Sequence, residues 1–261
     1  MLAFVHIPKT AGTTLHKIIS HQYPQKRIAI HHDTEGSPSA ELAAQLKAQG
    51  TSVVMGHFSV GLHEFIPGLR YVTCLRDPVP RLVSHYRHAL HDPTHYLHRE
   101  AKSLTLAGYV SSGLSGELSD GMTRMLAGVA DFHHGTVNEE TLALAVSNLE
   151  TLFDAIIPSE RFDEGVFLLA SDLGWSPPYY LRRKVGRYPD PTSPPDPETI
   201  RTIEDHNRHD RQLYDLFAAR FAERAARDPD LPARVTRFRR TNVTFGKAAF
   251  LAREFRARYL P

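Results

Sequence analysis

Three side chains able to handle anions and protons each follow an apolar run of strand length. They are Lys9, His57 and Arg76. Lys9 lies in Pro8-Lys9-Thr10-Ala11-Gly12-Thr13-Thr14, after Leu2 to Ile7. A strand, a small-residue loop and a helix start together leave free backbone N–H groups at the positive end of a helix dipole. Lys9 adds a full charge there and the threonine hydroxyls add donors, so the stretch reads as a phosphate cradle. Arg76 opens Arg76-Asp77-Pro78-Val79-Pro80-Arg81-Leu82-Val83-Ser84, after Arg70 to Leu75. Its planar fork suits a phosphate, and Ser84 lies a little over two turns into the following helix with a hydroxyl to add. His57, in Met55-Gly56-His57-Phe58, is one of 16 histidines, a residue type that accepts a proton near neutral pH.

The elements that must position these residues follow from pattern. Residues 2–7, 27–30, 52–56, 70–75 and 152–157 read as strands, being short, apolar and rich in β-branched residues. Helices are expected from Thr13 or Thr14, as cap, to about Ser20, from Ser39 to Gln49, and from about Val79 to Leu90. Asp77 is placed to cap the last of these, with Pro78 in its first turn. Further helices are expected over 138–150 and 160–173, and one long helix over about 197–224. Strands alternating with helices predict an α/β fold, a central mostly parallel sheet with helices on both faces, in which ligands sit at the carboxyl ends of strands. Residues 95–130 read as short helices and loops. The proline-rich stretch 174–198 reads as a long loop, a class of segment that is usually functional or disordered.

The first stretch is not a Walker A loop, whose lysine follows the second glycine at the helix start. It resembles the 5′-phosphosulfate-binding loop of sulfotransferases, in particular the carbohydrate O-sulfotransferases related to heparan sulfate 2-O-sulfotransferase. The Arg76 to Tyr86 segment is similar to the 3′-phosphate-binding segment of the same enzymes. Gly56-His57 matches the glycine–histidine pair that supplies their general base. The resemblance spans about residues 2–220 and implies a three-layer fold of the P-loop NTPase type. It implies a donor, 3′-phosphoadenosine-5′-phosphosulfate (PAPS), held by Lys9, Thr10, Ala11, Gly12, Thr13, Thr14, Arg76 and Ser84, with no metal. Lys9 and His57 become the catalytic residues, and the sulfuryl group passes to an acceptor hydroxyl, of a glycan or glycolipid. Gly121 to Gly128 is similar to a segment near the acceptor side, where Arg124 either orients an acidic acceptor or pairs within the fold. Asn207-x-x-Asp210-x-x-Leu213-Tyr214 resembles a late structural helix, and Arg182, Arg183, Lys184 and Arg187 match a basic loop that closes over the nucleotide. Two other readings stay open: an ATP-dependent kinase of small molecules, and a nucleotide-binding sensor without catalysis.

Composition fits these expectations. Apolar residues make up 41% of the 261-residue chain and charged residues 23%, the profile of a globular protein with one full core. A net charge of +2 gives no argument for nucleic acid. Basic residues gather in the segment 230–261, read as an extension of a single domain 1–261. Cys74, the single cysteine, reads as a small core residue. No apolar run approaches the roughly 20 residues that span a bilayer, and the chain starts on its first strand, so a cytoplasmic protein is expected. His85, His88, His91, His95 and His98 invite a metal reading, but 85, 88 and 91 rotate steadily around a helix and the set is read as a polar face rather than a metal site.

Overall fold

The computed structural model describes residues 1–32, 38–129, 137–181, 194–246, 248–252 and 255. Five parallel strands form one sheet in the order β2-β3-β1-β4-β5. They are β1 (Leu2–Val5), β2 (Ile28–Ile30), β3 (Val53–Gly56), β4 (Arg70–Leu75) and β5 (Phe153–Pro158). The fold is α/β, with helices on both faces.

Strand alternation sorts the core into two layers. Ala3 and Val5 of β1, Val54 of β3 and Tyr71 of β4 face one cluster. That cluster is completed by α2 (Ala40–Ala48), α6 (Gly121–Ala127), α7 (Glu139–Leu152) and α10 (Arg208–Ala226). Leu2, Phe4, Val53, Met55, Val72 and Cys74 face the other. There they meet α1 (Gly12–Ser20), α8 (Phe162–Asp172) and Phe238 of α11 (Leu231–Thr241). Cys74 is fully buried in this layer, as a core residue. A third cluster joins α3 (Pro78–His91), α4 (His98–Ser103), α5 (Leu106–Ser111) and α9 (Pro197–His206).

Several helix starts follow local chemistry. Ser39 caps α2 through Leu42 N, Asn138 caps α7 through Thr141 N, and Asp77 caps α3 through Val79 N with Pro78 behind it. Two boundaries differ from expectation. The helix expected over 197–224 is two helices, broken at Asn207. The fully buried Asn207 amide donates to Leu118 O and Ile203 O and accepts from Arg81 and Asp120 N, and this geometry departs from a continuing helix. The start of α1 is not capped by Thr13 or Thr14: Ala11 occupies the cap position in the left-handed region and makes no side-chain bond. No helix among the described residues is long and apolar enough to cross a membrane.

Candidate active site

The central strands β3, β1 and β4 are neighbours, and the chain leaves their carboxyl ends at His57, the Pro8 loop and Arg76. This is the place where the connections diverge to the two sides of β1, the crevice in which open α/β sheets hold ligands. A cavity of about 1250 Å³ opens there. It is lined by Lys9, Ala11, Gly12, Thr13, Thr14, His57, Arg76 and Ser84, among others. Of the residues expected to hold the donor, Thr10 alone is not in this lining: its hydroxyl turns inward and donates to Ile7 O at 2.8 Å, fully buried.

The loop after β1 is built with an unusual backbone. Lys9 and Ala11, neither of them glycine, have φ of 68° and 70°. Such conformations cost of order 1–3 kcal/mol each and gather at ligand clamps. Successive N–H groups in turns of this kind form concave anion sites. Gly12 is required for space: a Cβ there would lie 1.9 Å from the His6 ring. Arg76 closes the loop from the other strand, with one guanidinium N–H donating to Lys9 O at 3.1 Å. Burial lowers the Arg76 pKa from its ordinary value, while Glu160 works against that shift. A guanidinium taken out of water beside a nest of N–H groups is an anion-binding arrangement.

His57 is held from three directions. Its Nδ1 lies 2.6 Å from His6 O, its ring stacks on that of His6 at 4.3 Å, and the His32 ring lies 5.4 Å away on a near-parallel plane. Phe4 continues the column behind His6, at 5.4 Å. The backbone N–H of His57 donates to His32 Nδ1 at 3.2 Å. A carbonyl oxygen can only accept, so Nδ1 carries the hydrogen and the neutral ring has its lone pair at Nε2. Gly56, at φ +153°, sits where a Cβ would meet His31 O at 1.8 Å, so the glycine before the histidine is required by β2 packing close on β3.

Elsewhere the structure moves expected roles. Arg81 is fully buried: it donates to Glu117 O, Asn207 and Asp210, and Asp210 also accepts from Met122 N, Thr123 N and the Thr123 hydroxyl. The late helix is therefore a buried polar lock on α3 and α6. Arg124 is buried, donates through Nε to Ser119 O and does not line the cavity. Arg182, Arg183, Lys184 and Arg187 lie outside the described residues. Of the histidines read as a polar face, His85 is buried and, with His88 and His95, lines the cavity. That wall also carries Glu117, Ser115 and Tyr96, and none of these was singled out in the sequence. His85 precedes Glu117 by 32 residues, and nothing in either local pattern signals the contact. The same cavity is also lined by Tyr180, Asp163 and Arg239, where Tyr180 donates to Asp163, which also accepts from Arg239 Nε at 2.6 Å.

Neither a family model nor a curated protein matches the sequence. Among solved structures the chain is similar to a sulfotransferase from Alicyclobacillus acidocaldarius, at 15% identity and a TM-score of 0.45, covering 82% of this chain and 94% of the other.

Proposed function

We propose that this chain is a PAPS-dependent O-sulfotransferase acting on a hydroxyl of a carbohydrate or glycolipid. One observation carries the reading: a left-handed N–H nest with its lysine, an arginine–serine pair and an oriented histidine leave three adjacent strands and meet in one cavity. Two cationic points suit a nucleotide phosphorylated at both ends of its ribose. Lys9 and the loop N–H groups hold the 5′-phosphate, while Arg76 and Ser84 hold the 3′-phosphate. The donor supplies an activated sulfuryl group.

His57 Nε2 takes the acceptor proton as the acceptor oxygen attacks sulfur, a contribution of roughly 10²–10⁴ in rate for a positioned base. The S–O bond to the 5′-phosphate breaks in line, and Lys9 offsets the negative charge left on that phosphate. The products are an O-sulfate, 3′,5′-diphosphoadenosine and a proton on His57. An ATP-dependent kinase of the Walker type would need its lysine at the helix start, and here Lys9 precedes Gly12.

The test is transfer itself. The protein is incubated with PAPS labelled in sulfur and a panel of hydroxyl acceptors, and labelled O-sulfate is measured against diphosphoadenosine released. Equal amounts of the two support the reading. Diphosphoadenosine binding without transfer to any acceptor supports a sensor, and phosphate transfer from ATP supports a kinase.

A further inference from the structure

One wall of the cavity, from His85 onward, lies beyond the groups assigned to phosphate. It runs along α3 and returns at Ser115 and Glu117. At its centre is a hydrogen-bond chain: Glu117 Oε2 lies 2.7 Å from His85 Nε2, and His85 Nδ1 lies 3.0 Å from the Tyr109 hydroxyl. An ionised carboxylate only accepts, so His85 Nε2–H donates to Glu117. Burial raises the Glu117 pKa, but the hydrogen bond and charge of His85, with His57 and Arg81, outweigh it and leave the carboxyl at about 2. Glu117 is therefore a standing anion at neutral pH, with its side chain 20% exposed on the cavity wall. An ionised carboxylate accepts charge-assisted hydrogen bonds and repels anions brought close to it.

The rest of the wall has the same character. Its second carboxylate, Asp92, lies 3.4 Å from His88. Burial and the neighbouring His85 bring His95 down to about 4, so it is neutral at pH 7. Among the described residues lining this wall from His85 to Glu117 there is no lysine or arginine. Tyr96 shares a hydrogen bond with Ser115 through its hydroxyl and is 61% exposed, leaving an aromatic face on which the C–H side of a sugar ring can lie.

We infer that this wall is the acceptor subsite, and that Glu117 accepts a hydrogen bond from a neutral or amine-bearing polyol and turns away carboxylated or sulfated ones. The inference rests on the sulfuryl-transfer reading for the acceptor's role, but the chemical class follows from the wall alone. It departs from a polyanionic acceptor of the heparan type.

The experiment uses three nitrophenyl glycosides of one ring and one aglycone: the β-glucoside, the β-glucuronide and the β-glucosaminide. Their binding to the protein in saturating 3′,5′-diphosphoadenosine is measured by equilibrium dialysis at pH 7, and diphosphoadenosine affinity is measured on the same samples. The wild-type protein is expected to bind the glucuronide at least about tenfold more weakly than the other two. Glu117→Gln keeps an acceptor for His85 and is expected to shrink that gap at least about threefold. Equal or tighter glucuronide binding by the wild type overturns the inference, as does an unchanged gap in the variant or failure of all three to bind. The wild-type comparison stands even if the variant misfolds. Absence of diphosphoadenosine binding with the glycoside preference intact would fault the proposed function and the acceptor role, and leave standing the wall's selection of neutral and amine-bearing polyols.

Discussion

Gly12→Ala tests whether the His6–His57 column is built as described. A Cβ at position 12 would fall 1.9 Å from His6 Cδ2 and 2.2 Å from Nε2. Carbon contacts settle at about 3.5–4.0 Å, so the ring must retreat by roughly 1.6 Å or more. It has little room, stacked between Phe4 and His57. Overpacking of this kind costs about 1–3 kcal/mol, whereas alanine in a helix is intrinsically favoured over glycine by up to about 1 kcal/mol. The substitution should therefore destabilise the protein by about 1–2 kcal/mol in urea unfolding. It should also lower turnover by about 10²-fold, because His57 is oriented by the His6 carbonyl and a misplacement near 1 Å costs about that much. Removing the ring should remove the clash. In the His6→Ala background Gly12→Ala should be neutral or stabilising, a coupling of at least about 1 kcal/mol. An equal cost for Gly12→Ala with and without the His6 ring would show that the ring is not what excludes a side chain at position 12.

His57→Ala should lower turnover by roughly 10²–10⁴-fold while 3′,5′-diphosphoadenosine binds as before, because the base acts on the acceptor; calorimetry beside a transfer assay checks both. Lys9→Ala should reduce turnover by about 10²–10³-fold and donor affinity by much less, since charge on the leaving phosphate grows in the transition state; a drop confined to affinity would make Lys9 a simple anchor. His95, pushed down to about 4 by burial and His85 from an ordinary 6.5, binds its proton later in the folded than in the unfolded chain. Stability should then fall as pH drops from 6.5 towards 4, and His95→Gln should flatten that fall, read from urea midpoints across the range.

The sequence and the fold agree where the cause is local. Asp77 with Pro78, Ser39 and Asn138 cap their helices because an oxygen and an N–H two or three residues apart meet without help from elsewhere. The strand ends that carry Lys9, His57 and Arg76 were legible as apolar runs, and the parallel order brings them side by side. What escaped is set by distance along the chain. Asn207 breaks a helix whose apolar spacing runs straight through it, because Arg81 and Asp120 reach it from other segments. His85, His88 and His91 invite a question about one helix face. In the fold His85 is instead engaged by Glu117 and Tyr109 from beyond the helix. The left-handed turns at Lys9 and Ala11 leave no trace in residue type, since neither is glycine or asparagine.

A cavity that holds a nucleotide with a phosphate at each end of its ribose should separate 3′,5′-diphosphoadenosine from AMP in competitive calorimetry. The two ligands differ by the one phosphate assigned to Arg76 and Ser84. A charge-assisted contact of that kind is worth about 1.5–3 kcal/mol, so the diphosphate should bind about ten- to a hundredfold more tightly, with or without magnesium. Arg76→Ala should remove most of that preference, with a smaller loss of AMP affinity because Arg76 also donates to Lys9 O. Equal affinities in the wild-type protein, or tighter magnesium-dependent binding of ATP, would rule out a second phosphate site at Arg76 and Ser84.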